Sequence, residues 1–288
     1  GKKKKRKKRK GEGKKKGKRE GKKNKVGELA ENQSSLLSAA KFDQNYNSQY
    51  SYIAKVGYPM GMMYGFIYEG TYKYEDFDKV GDTYTLKRNV PYFSSESNTQ
   101  PGMPKYADLN GDGIIDDNDR TMIGNGMPKH TGGFTNNFEY KGFDLSIFFQ
   151  WSYGNDVLNA NRLFFENSNK TRDLNQYASY ADRWTPENPE SNIPRATDSG
   201  SNKVFSTRII EDGSFLRLKT VSLGYTLPKQ LTKKWKIDNA RVFVAGQNLW
   251  TCTGYSGYDP EVSIREGALT PGLDFSAYPR AYSISFGI

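Results

Sequence analysis

An all-β protein is what this sequence predicts, and three observations carry the prediction. The eleven residues FDLSIFFQWSY (143–153) place Phe143, Leu145, Ile147, Phe149, Trp151 and Tyr153 on one parity. Asp144, Ser146, Phe148, Gln150 and Ser152 take the other, so the segment is a strand with one apolar and one mostly polar face. Several further segments alternate in the same way, separated alternately by short turns and by long connections. The longest uncharged stretch, VGYPMGMMYGFIY (56–68), is interrupted by Pro59 and three glycines and is thirteen residues long. A membrane-crossing helix needs about 20 apolar residues, so a helical membrane protein is excluded.

Along the chain, YNSQYSYIAKV opens the pattern with Tyr46, Tyr50, Tyr52, Ala54 and Val56 on one parity. GFTNNFEY precedes the 143–153 strand, and Lys141-Gly142 between them predicts a tight hairpin. In SFLRLKTVSLGYTL (214–227), Leu216 and Leu218 share one parity, then Val221, Leu223, Tyr225 and Leu227 take the other. That phase change near Lys219-Thr220 predicts a β-bulge. Pro228 ends the strand, a polar turn leads to ARVFVAGQNLW, and AYSISFGI closes the chain with a last alternation. The connections 86–130, 154–213 and 251–279 are rich in Asn, Asp, Gly, Pro and aromatics and are expected to be loops.

Strands of about ten residues with short links at one end and long loops at the other describe an outer-membrane barrel. A secreted β-sandwich has the same alternation, with the apolar face buried against a second sheet. Periodicity alone does not separate the two.

Composition narrows the function classes. The net charge of +11 sits wholly in residues 1–25, where 17 Lys or Arg outweigh Glu12 and Glu20 for +15; that leaves −4 for the remaining 263 residues. This tail uses only Gly, Lys, Arg and Glu through Lys23, all writable with purine-only codons. It is expected to be a disordered, self-repelling segment or a gene-model artefact, and no specific nucleic-acid partner is expected. Residues 26–44 are expected to form a polar linker or loop. Cys252 and His130 are single residues of their kind, so an internal disulfide, a cysteine zinc site and a multi-histidine centre are excluded. His130 is expected in a loop. No nucleophile–base pair stands out, and an enzyme is not expected.

Two sets of residues are candidates for binding. DLNGDGIIDDND (108–119) places Asp108, Asn110 and Asp112 at positions 1, 3 and 5 of a calcium-type loop, with Gly113 at the turn. Ile114 offers its carbonyl at position 7, Asp116 and Asp119 follow at 9 and 12, and Ile115 can pack inward. Hard oxygen donors suit Ca2+, here as a structural brace; Asp instead of Glu at position 12 and the absence of helical flanks depart from an EF-hand. The alternative is an Asx-rich turn between two strands. The other set is Trp184, Trp250, Tyr255 and Tyr258, aromatics in or beside loops that could stack on a sugar, weighed against loop packing and an interfacial girdle. Asp182, Asp259 and Glu261 fit loop architecture better than a hydrolase's paired carboxylates.

A resemblance settles which architecture is expected. GSFLRLKTVSLGYTLP (213–228), QNLWTCTGYSGYDPEV (247–262), RWTPENP (183–189) with PRA (194–196), and YADLNGDGIIDDNDRTMIGNGMPKHTGGFTNNFEYKGFDLSIFFQ (106–150) stand in the order found in the SusC/RagA family of TonB-linked outer-membrane proteins. The sequence resembles the C-terminal barrel portion of that family over residues 45–288. The resemblance implies a barrel of about 22 antiparallel strands with long extracellular loops in a bacterial outer membrane. It also implies a plug, a SusD-like surface lipoprotein as lid, the TonB complex acting through N-terminal parts, and an oligosaccharide or peptide substrate. The chain lacks the family's plug and its terminal Phe, so it is expected to be a fragment, with unpaired edges in the lipid and no transport activity by itself.

Overall fold

The computed structural model describes residues 36–41, 50–166, 175–197, 204–264 and 267–288. The basic tail and Tyr46 of the first alternation lie outside them. Among the described residues no helix is long and apolar enough to cross a membrane.

The strands on which the argument rests are β1 (Leu36–Lys41), β2 (Tyr50–Lys55), β3 (Met62–Gly65), β4 (Thr121–Asn125), β5 (His130–Tyr140), β6 (Phe143–Tyr153), β7 (Asp156–Asn159), β8 (Ile210–Asp212), β9 (Phe215–Thr226), β10 (Arg241–Thr253), β11 (Leu273–Asp274) and β12 (Ser283–Gly287). The largest sheet is five-stranded in the order β5-β6-β9-β10-β12, all antiparallel. The hairpin between β5 and β6 closes at Tyr140↔Phe143, with Lys141 at φ 49° and Gly142 at φ 86°. Two consecutive positive φ values match the right-handed strand twist, which is why a glycine stands there.

The phase change in β9 is a bulge. Lys219 is left out of register on both sides: Leu218 faces Phe149 and Trp250, while Thr220 faces Phe148 and Gln247. Opposite it, β10 has two unpaired residues of its own, Asn248 and Leu249, and Asn248 adopts a left-handed φ of 52°. Its Nδ2 donates to the Ala281 carbonyl, 3.1 Å, tying the bulge to the start of the last strand. The QNLW phrase is therefore the other half of the bulge seen in β9.

Register puts most apolar positions of the sheet on one face. Phe134, Phe138 and Tyr140 of β5 join the odd positions of β6, then Leu216, Leu218, Val221, Leu223 and Tyr225 of β9. Val242, Val244 and Trp250 of β10 and Ile284 and Phe286 of β12 complete it. This face is bare: Phe138 is 58% exposed and Phe286 79%. Soluble monomers rarely carry an apolar patch so broad, whereas a lipid-facing wall requires one. Its ends are aromatic. Phe143 and Tyr225 meet near the short turns at 4.5 Å between ring centroids, while His130 stacks on Tyr153 at 5.1 Å at the other end. Ten residue steps from Phe143 to Tyr153 span about 33 Å. A tilt near 40° reduces that to roughly 25 Å, the height of a barrel's apolar band. His130, expected in a loop, is the first residue of β5 and accepts a hydrogen bond at Nδ1 from Trp151 Nε1, 3.1 Å.

The opposite face carries Glu139, Asp144, Ser146, Gln150, Ser222, Arg217 and Gln247. Near the short turns, Arg241 Nε donates to Asp144 Oδ1 at 2.9 Å across the width of β9. Gly224 lies between them, and a Cβ there would collide with both side chains.

Two expectations need correction. Residues 26–44 are not all linker, because β1 lies within that stretch and pairs with β2 beyond it. The long connections are not plain loops either; they hold most of the buried core, and the segment 52–77 supplies much of the rest. Tyr52, Met63, Leu158, Leu163, Phe205, Ile209 and Leu273 form one cluster, fed by β2, β3 and the three-stranded sheet β8-β7-β11. Phe66, Tyr106, Ile115 and Val204 form a second, and Tyr72, Phe77 and Leu86 a third. In the five-stranded sheet only Phe215 and Arg217 are buried, glycines aside. A wall in lipid needs no water-excluding core; loops that stand in water do.

The two faces give opposite responses to charge. Ile147→Arg, mid-strand on the apolar face, is expected to cost about 2–4 kcal/mol in denaturant unfolding from lipid bilayers. Ser146→Arg, its neighbour on the polar face, is expected to cost less than about 1 kcal/mol. Equal losses would contradict the assignment of faces.

Candidate functional site

The wall and the loop layer meet at Arg217. This residue sits on the polar face of β9, 2% exposed, directly opposite Thr251. Its Nε donates to Thr251 Oγ1 (3.1 Å), Nη1 to Glu261 Oε2 (3.0 Å) and Nη2 to Asp259 Oδ1 (2.5 Å). Asp259 Oδ1 also accepts the Glu261 N–H at 2.9 Å, and Oδ2 accepts the Arg280 N–H at 3.2 Å. Glu261 reaches Arg280 Nη2 at 3.1 Å and Lys219 Nζ, on the bulge, at 3.8 Å. Burial by itself would push the Asp259 carboxyl up; the N–H of Glu261, the Arg217 guanidinium and the N–H of Arg280 together hold it below the ordinary range. The carboxylates of the YDPEV phrase are thus a clamp that holds loop 254–282 against the polar face of the wall.

A second charged network braces the same layer. Glu166, 2% exposed, accepts from Ser179 Oγ (2.8 Å), Arg208 Nη2 (2.6 Å) and Arg162 Nε (3.2 Å). Glu211 takes Asn159 Nδ2 at 2.9 Å and the Ser256 N–H at 2.8 Å. Every buried carboxylate here has a positive or N–H partner, as a low-dielectric interior demands.

Between these anchors lies a cleft of about 560 Å3. Asn161 and Phe165 of a short helix and Tyr177 form its floor, and Tyr258 and Tyr278 stand at its mouth. Tyr258 is 83% exposed and Tyr278 90%. Of the four aromatics expected to face a ligand, only Tyr258 lines this cleft. Trp184 is buried between Tyr74, 5.6 Å ring to ring, and the Arg195 guanidinium, with Gly102 too close to its ring to carry a Cβ. Tyr255 is buried with its hydroxyl donating to Asp274 Oδ2 at 2.5 Å, and burial pushes its phenol up. Trp250 sits half-exposed on the apolar face of the wall, level with Leu218.

The acidic loop has taken up its carboxylates internally. Asp108 accepts the Gly111 and Gly113 N–H groups at 2.7 and 2.8 Å, Asn110 accepts from Asp112, and Asp112 from Ile114. Asp116 caps a single turn through the Asn118 N–H, 2.8 Å. Asp119, fully buried, takes the N–H groups of Leu109, Asn110 and Asp116, which outweigh the upward push of burial and lower its pKa. Ile115 packs inward as its position suggests. Among the described residues no group of three or more acidic, His or Cys side chains is gathered as a metal centre.

Arg217, Asn161, Tyr177 and Tyr278 were not legible as site residues. Arg217 did carry a signal, as a cation on the polar parity of an otherwise apolar strand, but its carboxylate partners lie more than forty residues away.

No family model matches the chain. TonB-dependent receptor P3 of Formosa agariphila is 32% identical to it over 92% of this chain and 25% of that receptor. TonB-dependent receptor SusC of Bacteroides thetaiotaomicron is 27% identical over 67% of this chain and 18% of SusC. The solved RagAB peptide transporter superposes with a TM-score of 0.60 at 26% identity, covering 82% of this chain and 23% of that one. The chain thus spans about a quarter of the length of these relatives or less.

Arg217→Met leaves two carboxylates facing a buried apolar group, and is expected to cost about 3–5 kcal/mol in unfolding at pH 7. Asp259 titrates below its ordinary 3.8 when folded, so its contribution is complete above that value and is lost as pH falls through the lower folded pKa. Unfolding curves at pH 6 and pH 3 should therefore show a smaller acid loss in Asp259→Asn than in the parent; identical losses would remove the clamp from the account.

Proposed function

From the premise that the chain belongs to the SusC/RagA family of TonB-linked outer-membrane proteins, we propose that it supplies part of the wall and mouth of an outer-membrane nutrient importer. The observation that carries this reading is the five-stranded sheet with one face mostly apolar and bare and the other mostly polar and clamped to a folded loop layer. A secreted calcium-binding β-sandwich would cover the apolar face with a second sheet, and nothing among the described residues covers it. The relatives are named receptors and transporters, which supports a role in transport. A SusD-like surface lipoprotein would lie over the folded loops as lid, and TonB would act on a plug contributed by other parts of the receptor. The substrate class is an oligosaccharide or a peptide.

Fractionation tests this reading. The receptor that contains this chain should sediment with the outer membrane, require detergent for release, and co-purify in mild detergent with a lipid-modified second polypeptide. Recovery in buffer without detergent would replace the barrel with the sandwich.

Calcium at the acidic loop is a separate proposal, with Ca2+ as a structural brace on Asp108, Asn110, Asp112, the Ile114 carbonyl, Asp116 and Asp119. Calorimetry on the intact receptor should show binding that Asp108→Ala and Asp112→Ala abolish; a flat titration of the parent would leave a turn held by hydrogen bonds alone.

A further inference from the structure

The turn that joins β9 to β10 is unlike the other short link of the sheet. Lys141-Gly142 closes its hairpin in two residues, whereas PKQLTKKWKIDNA (228–240) takes thirteen. Those thirteen hold Lys229, Lys233, Lys234 and Lys236 against Asp238 alone, although residues 26–288 as a whole are net −4. All four lysines are exposed. So are the apolar side chains set among them: Leu231 at 44%, Trp235 at 62% and Ile237 at 43%.

This turn is an ordered scaffold. A short helix, Lys229–Thr232, runs into a single 3-10 turn, Lys233–Trp235, and Thr232 is buried beneath them. The Leu231 N–H donates to the Pro228 carbonyl at 2.9 Å, and the Ile237 N–H returns to the Thr232 carbonyl at 3.1 Å. At the base, the Leu227 N–H donates to the Ala240 carbonyl at 2.9 Å. Lys236 makes the reversal at φ 56°, a conformation that favours glycine. A cation therefore stands where the backbone alone would select a residue without a side chain.

The wall sets the depth of the turn. Phe143 and Tyr225 mark the aromatic end of the apolar face. Lys229 follows Tyr225 by four residues, about 13 Å of extended chain or roughly 10 Å along the membrane normal in a tilted strand. The headgroup layer outside the hydrocarbon is roughly 5–8 Å thick, within reach of a lysine stem from the water side. Trp235 suits the same level, since an indole ring prefers the boundary between hydrocarbon and water. Beside the turn, Phe143, Leu223, Tyr225, Val242 and Val244 of the apolar face line a groove of about 280 Å3.

We propose that the turn 228–240 is a docking surface for anionic phospholipid headgroups in the membrane leaflet that meets the short turns. The lysines bind the phosphates, Trp235 lies at the interface, and the groove takes the start of an acyl chain. Charge complementarity and continuity with the bare apolar wall select this occupant. The proposal rests on the importer reading for the membrane in which the wall stands.

The test uses the intact receptor in phosphatidylcholine liposomes that contain, at equal mole fraction, brominated phosphatidylglycerol or brominated phosphatidylcholine. Quenching of tryptophan fluorescence is read, and the difference between the parent and Trp235→Phe isolates the Trp235 component. The anionic lipid is expected to quench that component about twofold more strongly. Combined Lys229→Gln, Lys233→Gln and Lys234→Gln should bring the ratio to about one. Lys236→Gly, which suits the backbone, should lower the ratio without lowering the Tm. The basic tail is the same in every variant and cannot produce these differences. Inorganic phosphate at low millimolar concentration should leave the ratio unchanged. Equal quenching by the two lipids, a preference that survives loss of the lysines, or one abolished by phosphate would overturn the docking surface. Recovery of the receptor in buffer without detergent would overturn it together with the importer reading, whereas a receptor that inserts without a lipid preference would overturn the docking surface alone.

Discussion

A buried guanidinium between two carboxylates is the constraint on which the rest of this structure depends. Arg217 lies where the wall gives way to the loop layer, and an unpaired charge there would be untenable. Asp259 and Glu261 meet that demand from the loop that follows β10, and the backbone N–H of Arg280 binds Asp259 from the far end of the same loop. Electrostatic necessity at one strand position thereby ties Asp259, Glu261 and Arg280 to the polar face of the wall. The bulge at Lys219 belongs to the same device, since it brings the Lys219 amine within 3.8 Å of Glu261.

Two solvents explain the distribution of the core. The five-stranded sheet presents aliphatic and aromatic side chains outward and buries almost none of them, because lipid takes the place of a protein interior. The connecting segments have water on their outer side and must build their own cores, which they do from aromatic residues scattered over 52–275. Tyr52, Phe205 and Leu273 meet in one cluster although they stand far apart in the chain. This explains why segments that look like loops by composition are also rich in Tyr, Phe and Trp.

The acidic loop shows how local chemistry can satisfy itself. Its carboxylates accept backbone N–H groups within the same twelve residues, and Asp119 in particular takes three of them. The spacing that suits an ion also suits a series of Asx turns, since both need side-chain oxygens directed at the loop's centre. Sequence pattern alone therefore cannot tell the two apart.

What the sequence determined by itself was everything with a short repeat. Period-two alternation defined β6 and its partner, Lys141-Gly142 defined their turn, and the shift of parity after Leu218 located a bulge that register then placed at Lys219. These are consequences of neighbours in the chain, where backbone geometry alone dictates which side chains share a face. Only the tertiary structure decided which aromatics are available. Trp184 and Tyr255 are buried by residues remote in sequence, Trp250 turns to the apolar face, and Tyr258 alone of the four stands at a cleft. Composition could not separate them, because burial is set by what the folded chain brings alongside. The pairing of Arg217 with Asp259, forty-two residues on, follows from the same cause.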